Sequence, residues 1–228
     1  MRILLTNDDG FGAPGLEALY SAAEGLGERV IVAPDSALSG CSHQVTTERP
    51  LRLTQRAESK FSIDGTPADC VRVALHRVDP DVAWVLSGIN AGGNLGADVY
   101  HSGTVAAARE AVLHGKPAIA VSHYKKRGLE FDWVRSAAWV RPLLLEILLK
   151  PWTEGTLWNI NLPHLEAQAE RPEVIWCPLD PSPLPLSFRG ESETFHYNGN
   201  YHERQRRPGT DVDVCMAGRI SVTEMKLF

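Results

Sequence analysis

Two adjacent carboxylates stand directly after the first apolar segment of this 228-residue chain. Asp8 and Asp9 follow residues 2–5, which predict a short buried strand, and Gly10 closes the turn that carries them. Two ionised carboxylates a few ångströms apart repel each other, and a bound cation is the usual way to keep both charged. The pair therefore predicts a divalent metal site. On this stretch alone, the alternative is that both residues only form a turn or cap a helix.

Two further loops carry side chains that suit the same chemistry. Residues 35–44 follow a second apolar segment and contain Ser39, and residues 87–98 follow a third and contain Asn90 and Asn94. In an open parallel sheet, the loops at the carboxyl ends of the strands meet at one edge. Carboxylate, hydroxyl and amide oxygens are hard ligands that suit magnesium, manganese or calcium better than zinc or copper.

A helix start supplies the second half of the predicted site. Ser102, Gly103 and Thr104 begin a helical pattern, and the free N–H groups and dipole of a helix N-terminus attract an anion. Taken alone, Ser102 is more simply an N-cap residue. The preceding glycines, within residues 92–96, let backbone approach a ligand closely. Their spacing matches neither a Walker A sequence nor the dinucleotide-binding order, so a single phosphate beside a metal is the better fit.

The elements that must position these residues alternate between strand and helix. Apolar runs separated by helical periodicity indicate β-α-β units, which predict an α/β fold with a mainly parallel sheet. Thr66 is a predicted N-cap with Pro67 and Asp69 completing a capping box, and Pro142 predicts a kink. Strands are predicted at residues 2–5, 30–33, 45–54, 60–64, 82–86, 118–122, 157–161 and 220–223, and helices at residues 16–26, 67–78, 102–113 and 131–150.

The chain changes character beyond Pro163. Prolines crowd residues 177–185, helical periodicity is lost, and residues 194–201 predict a β-hairpin around the Asn-Gly pair at 198–199. A long extended segment with little core of its own often packs on a neighbouring subunit. Residues 1–163 are therefore predicted to form the catalytic core. Residues 164–228 are predicted to form an arm and hairpin for homo-oligomerisation, with a final strand and tail that return to the core.

Charge and composition exclude several classes of partner. The formal net charge of −5 argues against nucleic acid, and Arg204, Arg206 and Arg207 form a small basic cluster that is more often a solvated face than a binding site. No apolar stretch approaches the length of a membrane span, and the apolar run after Arg2 is too short for a signal peptide. The four widely spaced cysteines fit neither a zinc site nor a disulfide framework. A cytoplasmic chain without nucleic-acid or membrane partners is predicted.

Taken together, these motifs resemble the SurE family of survival-protein nucleotidases, over essentially the whole chain. The matching stretches are residues 3–10 with 13–15, 32–34 with 39–40, 65–71, 87–92 with 94–96, 102–108, 159–163, and 210–211 with 220–223. The resemblance implies a Rossmann-like three-layer core and a C-terminal arm exchanged between the subunits of a homodimer or homotetramer.

The resemblance also implies an activity and a set of roles. It implies a 5'-nucleotidase, a metal-dependent phosphatase that hydrolyses nucleoside 5'-monophosphates, with 3'-monophosphates and short polyphosphate as further substrates. One Mg²⁺ or Mn²⁺ per subunit would be held by Asp8, Asp9, Ser39 and Asn90. Asp8 and Asp9 would also be the catalytic residues. The predicted phosphate- and substrate-binding residues are Asn94, Ser102, Gly103 and Thr104.

Two positions depart from the family pattern, and several alternatives stay open. His101 stands where the family often has Tyr, which bears on base or phosphate preference, and Glu224 and Met225 replace a usual Pro-Leu pair. Attack by water and an aspartyl-phosphate intermediate are both compatible with the acid pair. An α/β glycosyl or acyl transferase, or a non-enzymatic nucleotide-sensing module, could use the same loops.

Overall fold

The chain folds around a nine-stranded sheet with helices on both faces. The computed structural model describes residues 1–126 and 128–228. Within them the sheet has the strand order β3-β4-β2-β1-β5-β6-β7-β11-β8, and a separate hairpin pairs β9 with β10. The strands are β1 (Arg2–Thr6), β2 (Glu28–Pro34), β3 (Leu53–Ala57), β4 (Lys60–Ile63), β5 (Trp84–Asn90), β6 (Ala118–His123), β7 (Thr156–Leu162), β8 (Val174–Trp176), β9 (Phe188–Glu191), β10 (Thr194–Tyr197) and β11 (Ile220–Lys226).

The helices complete a three-layer α/β arrangement, which confirms the predicted fold class. A π-helical turn (Ala74–Val78) extends the second helix, and short 3-10 helices occupy Gly96–Tyr100 and Tyr201–Glu203. The α-helices are α1 (Pro14–Ala22), α2 (Pro67–Val73), α3 (Gly103–Leu113), α4 (Trp133–Leu148) and α5 (Asp211–Met216). None of the helices in the described part of the chain is long and apolar enough to cross a bilayer.

The central strands are continuous apolar runs because both of their faces are buried. Ile3 and Leu5 of β1 pack in one core cluster with α1 and α4, whereas Leu4 packs in a second with α2 and α3. All three side chains are fully buried. This alternation anchors β1 in the middle of the sheet, so the turn that follows it has a fixed position.

Parallel pairing brings the predicted site loops to one edge. β1 pairs in parallel with β2 on one side and with β5 on the other. The turn after β1, the loop after β2 and the loop after β5 therefore leave the sheet side by side. Antiparallel pairing occurs nearer the margins, where β3 joins β4 and β11 joins β7.

Three predicted boundaries in the core are wrong. The first helix ends at Ala22 rather than Leu26, because the chain turns through Gly25 at a φ of +74°. No strand forms over residues 45–52, where the Thr46 amide donates to the Asp69 carboxylate instead of to a strand. β5 runs on to Asn90, four residues beyond the predicted end, because its pairing with β6 resumes between Asn90 and Ser122 after a register shift.

The C-terminal region also differs from its prediction. The hairpin turns at residues 192–193, since Glu191 faces Thr194 across the pair, and Ser192 takes a φ of +56°. The turn does not lie at the Asn-Gly pair, as predicted. Asn198 lies at the base of the hairpin, where its amide donates to the Ser187 carbonyl. Two elements, β8 and α5, were not predicted at all.

Candidate active site

A cleft of about 360 Å³ opens at the carboxyl ends of β1, β2 and β5. Six of the eight predicted site residues line it: Asp8, Asp9, Ser39, Asn90, Asn94 and Ser102. The other two, Gly103 and Thr104, begin α3 beside Asp8, and the Thr104 hydroxyl donates to its carboxylate. The cleft thus collects residues from loops that are far apart in the sequence, as parallel topology requires.

Asp8 is the most deeply buried of the acids in the cleft. Only 5% of the residue is exposed, and the Thr104 hydroxyl donates to Oδ1 at 2.5 Å. Burial raises the pKa of Asp8 to about 6, the Thr104 hydrogen bond opposes the rise, and the neighbouring Asp9 charge adds to it. A cation at this position would lower the pKa again and restore the ionised form. The acid pair therefore fits a metal.

In both Asp9 and Asn90, one side-chain atom forms a hydrogen bond and the other side-chain atom is free. The Ala91 amide donates to Asp9 Oδ2 at 3.0 Å, which ties the turn after β1 to the loop after β5. The Asn90 Nδ2 donates to the Gly92 carbonyl at 2.8 Å. Within the described residues, Asp9 Oδ1, Asn90 Oδ1 and the Ser39 hydroxyl accept no hydrogen bond, so three hard oxygens remain available to a cation.

The start of α3 has the predicted form of an anion seat. Ser102 is its N-cap, with Oγ accepting from the Val105 amide at 3.0 Å. Gly103 allows the helix to approach the acids, because a Cβ there would lie 2.9 Å from both the Asp8 Cβ and the Cys41 Sγ. The Thr104 hydroxyl faces Asp8, a contact that the sequence pattern did not predict.

Four hydrogen bonds anchor Asn94 through its side chain and its backbone. Its Nδ2 donates to Ser122 Oγ at 2.7 Å, and its backbone amide donates to Asn161 Oδ1 at 2.8 Å. Two amides, from Asn159 and Asn161, donate to its carbonyl oxygen. These contacts fix the glycine-rich loop against β6 and β7, and they hold Asn94 at the cleft wall.

Several residues of the cleft wall were missed by the sequence analysis. Asp98, Leu184 and Tyr201 line the cleft, and two of these come from beyond residue 163. The prediction that Arg204 lies on a solvated face is wrong, because its side chain is fully buried and its Nη1 lies 2.8 Å from Asp98 Oδ2. A charged partner that is 106 residues distant leaves no local signal in the sequence.

Comparison with known proteins identifies the family of this chain. The family model described as Survival protein SurE matches residues 3–180. A curated relative from Nostoc sp. is 49% identical over 227 residues and covers 100% of both chains. The 5'-nucleotidase SurE of Geobacter sulfurreducens is 38% identical over 239 residues, which cover 100% of this chain and 88% of its own. The crystal structure of the SurE protein from Aquifex aeolicus superposes with a TM-score of 0.88 at 30% identity, over 100% of this chain and 94% of that one. The chain belongs to the SurE family, as its motifs indicated.

Proposed function

We propose that this chain is a 5'-nucleotidase that uses a divalent metal to hydrolyse nucleoside 5'-monophosphates to nucleoside and phosphate. The observation that supports this best is the shared cleft, in which the acid pair, the oxygens of Ser39 and Asn90, and the start of α3 meet. The name of the Geobacter relative points to the same reaction. We extend the proposal to 3'-monophosphates and short polyphosphate as further substrates of the cleft.

One Mg²⁺ or Mn²⁺ per subunit is the proposed cofactor. Asp8, Asp9, Ser39 and Asn90 would hold it, and the free oxygens on Asp9, Ser39 and Asn90 support this assignment. When bound, the metal supplies positive charge that offsets the charge of the phosphoryl group during transfer. The cleft itself offers little else of this kind, since no Lys or Arg lines it among the residues that the structure describes.

The side chains and amides of the protein have separable tasks in this proposal. The backbone amides of Gly103 and Thr104 would bind phosphate oxygens, with Ser102 and Asn94 forming the adjoining wall. The Thr104 hydroxyl orients Asp8 by its hydrogen bond. Asp9, fixed by the Ala91 amide, would accept the proton of an attacking water. The alternative role for an acid of this pair is to take up the phosphoryl group as an aspartyl phosphate.

The C-terminal region is the proposed oligomerisation element. The division at residue 163 separates a catalytic core from an arm that would join subunits into a homodimer or homotetramer. Exposed apolar side chains on the hairpin and just before it support this, since Phe195 is 67% exposed and Leu186 is 89% exposed. Exposed apolar surface of this kind is typical of protein contacts.

A phosphate-release assay tests the proposed activity. AMP, GMP and p-nitrophenyl phosphate would each be incubated with EDTA, with Mg²⁺ or with Mn²⁺. We expect phosphate release only with metal. In Asp9→Asn the rate of release should fall by at least about a hundredfold, as when a group that stabilises the transition state is removed. Asp81→Asn is the matched control. That carboxylate is 84% exposed and lies beside Arg2, at the amino-terminal end of β1 and opposite the cleft.

The outcomes separate the competing functions. Nucleotide binding without metal-dependent phosphate release would favour a nucleotide-sensing module or a transferase. Near-normal turnover in Asp9→Asn would remove Asp9 from the mechanism while leaving the reaction class intact. Capture of a phosphorylated enzyme in rapid-quench experiments would select the aspartyl-phosphate alternative over direct attack by water.

A further inference from the structure

Asp98 is an acid in the cleft that the proposed chemistry does not use. It lies in the 3-10 helix Gly96–Tyr100, directly before the start of α3, and lines the cleft with Asp8 and Ser102. Its side chain is 14% exposed. A partly exposed carboxylate beside a phosphate seat would ordinarily repel the substrate, so its presence there needs a physical reason.

The two oxygens of Asp98 have different surroundings. Oδ2 accepts from the Leu95 amide at 3.2 Å, from the Tyr201 hydroxyl at 2.5 Å and from Arg204 Nη1 at 2.8 Å. Oδ1 accepts from none of the described residues. It is also not among the buried polar atoms that lack a partner, so it is open to solvent. Three donors thus fix the carboxylate and leave one oxygen available.

Arg204 offsets the charge of this carboxylate. Its side chain is fully buried, and Asp98 is its one ion-pair partner among the described residues. Burial of a guanidinium is tolerated only with a paired anion, and Asp98 supplies that anion. The pair presents little net charge to a phosphate. Its free oxygen can still accept a strong hydrogen bond from a neutral hydroxyl.

The place of Asp98, one turn before the start of α3, suits a contact with the sugar. The Asp98 carbonyl accepts from the His101 and Ser102 amides, both at 3.0 Å, so one helical turn separates Asp98 from the start of α3. A helical turn advances by about 5 Å. A ribose ring spans a comparable length between the 5'-phosphate and its hydroxyl groups.

We propose that Asp98 is a specificity-determining residue that accepts a hydrogen bond through Oδ1 from a ribose hydroxyl of the nucleotide. Tyr201 and Arg204 act as positioning residues that hold the carboxylate. The inference rests on the proposed nucleotidase activity and adds to it a preference for ribonucleotides. A hydrogen bond to a charged acceptor is worth roughly tenfold or more in discrimination against a substrate that lacks the donor.

The test compares kcat/KM for AMP, 2'-deoxy-AMP and 3'-deoxy-AMP, with p-nitrophenyl phosphate as a substrate without ribose. We expect the unmodified protein to favour AMP over at least one deoxy analogue by roughly tenfold or more. In Asp98→Asn, the side-chain oxygen would face Arg204 and the NH₂ group would face the cleft. This group cannot accept a hydrogen bond, so the ratio should fall towards unity. The exposed Asp81→Asn variant should keep the original ratio.

A second variant covers the case in which Asp98→Asn does not fold. Asp98→Glu keeps the charge for Arg204 but moves the free oxygen by one methylene, and it should also lower the ratio. Equal kcat/KM for AMP and both deoxy analogues in the unmodified protein, or an unchanged ratio in the Asp98 variants, would overturn this inference alone. An absence of phosphate release from all four substrates would overturn the proposed function and this inference with it.

Discussion

At the scale of single residues, the cleft depends on contacts that fix its acids from behind. The Thr104 hydroxyl on Asp8, the Ala91 amide on Asp9 and the Arg204 guanidinium on Asp98 each hold one carboxylate oxygen. In each case a donor that is remote in sequence limits how the side chain can turn. Supporting contacts of this kind commonly affect metal affinity as strongly as a ligand's own geometry does.

Thr104 offers a direct test of this idea. Thr104→Val removes the hydroxyl with little change in volume and leaves Asp8 Oδ1 without its donor. We expect the Mn²⁺ concentration for half-maximal activity to rise by roughly tenfold or more, as is usual for the loss of such a supporting contact. The measurement is a metal titration of phosphate release. Thr104→Ser keeps the donor and should behave much more like the unmodified protein; equal shifts in both variants would contradict the role of the hydroxyl.

The sequence predicted the acids and polar side chains that line the cleft but missed the residues that hold them. Asp8 and Asp9 follow the end of β1 and Asn90 ends β5, and the apolar runs that precede them can be read locally. Tyr201 and Arg204 act on Asp98 from more than 100 residues away. Only the folded chain brings them together, so local composition led to the wrong expectation of a solvated basic face.

At the scale of elements, strand positions were more predictable than their ends. β1 and β6 were placed correctly because a fully buried strand needs a continuous apolar run. The end of β5 at Asn90 and the position of the hairpin turn were not predicted correctly. Both depend on pairing with a neighbouring strand, which local sequence does not reveal. The extension matters for function, since Asn90 reaches the cleft at a strand end and not within the predicted loop.

The junction of β6, α4 and β7 contains a buried histidine that should make stability depend on pH. His123 Nε2 faces the Pro163 carbonyl, which can only accept, so Nε2 carries the proton of the neutral ring, and Nδ1 faces Ser136 Oγ. Burial lowers the pKa of His123 to about 3, with a further contribution from His164. Below its unfolded pKa of about 6.5 the unfolded chain binds the extra proton, so stability must fall as the pH falls through that value.

The expected loss is about 2 kcal/mol in unfolding free energy between about pH 7.5 and about pH 5. Urea denaturation at both pH values measures it. His123→Gln removes the titrating ring and should flatten this part of the pH dependence, even though it lowers stability overall. His196→Gln on the exposed hairpin is the matched control and should leave the slope as it was. If the unfolding free energy of His123→Gln kept the original dependence on pH, another group would be responsible for it.

At the scale of the whole molecule, an acidic chain must attract an acidic substrate. The net charge is −5, and Asp8, Asp9 and Asp98 all line the cleft. Arg204 offsets one of these charges, which leaves the acid pair after β1 uncompensated by the side chains that line the cleft. The approach of a phosphate ester to two ionised carboxylates is unfavourable without a cation. The electrostatics of the whole molecule therefore favour the same metal requirement as the local geometry.

The hairpin and the segment just before it give the last prediction, because they leave large apolar side chains exposed. Leu186 and Phe195 are 89% and 67% exposed, and burial of such side chains against a second copy would supply much of the energy of an interface. We expect the double variant Leu186→Ser with Phe195→Ser to raise the dissociation constant of the oligomer by at least about thirtyfold, as for the loss of a strong interface contact. Sedimentation equilibrium over a range of concentrations measures this constant. Leu149→Ser, at a residue that is 85% exposed after the end of α4, should leave it unchanged. A monomeric unmodified protein, or an oligomer whose dissociation constant does not change in the double variant, would exclude the arm as the subunit contact.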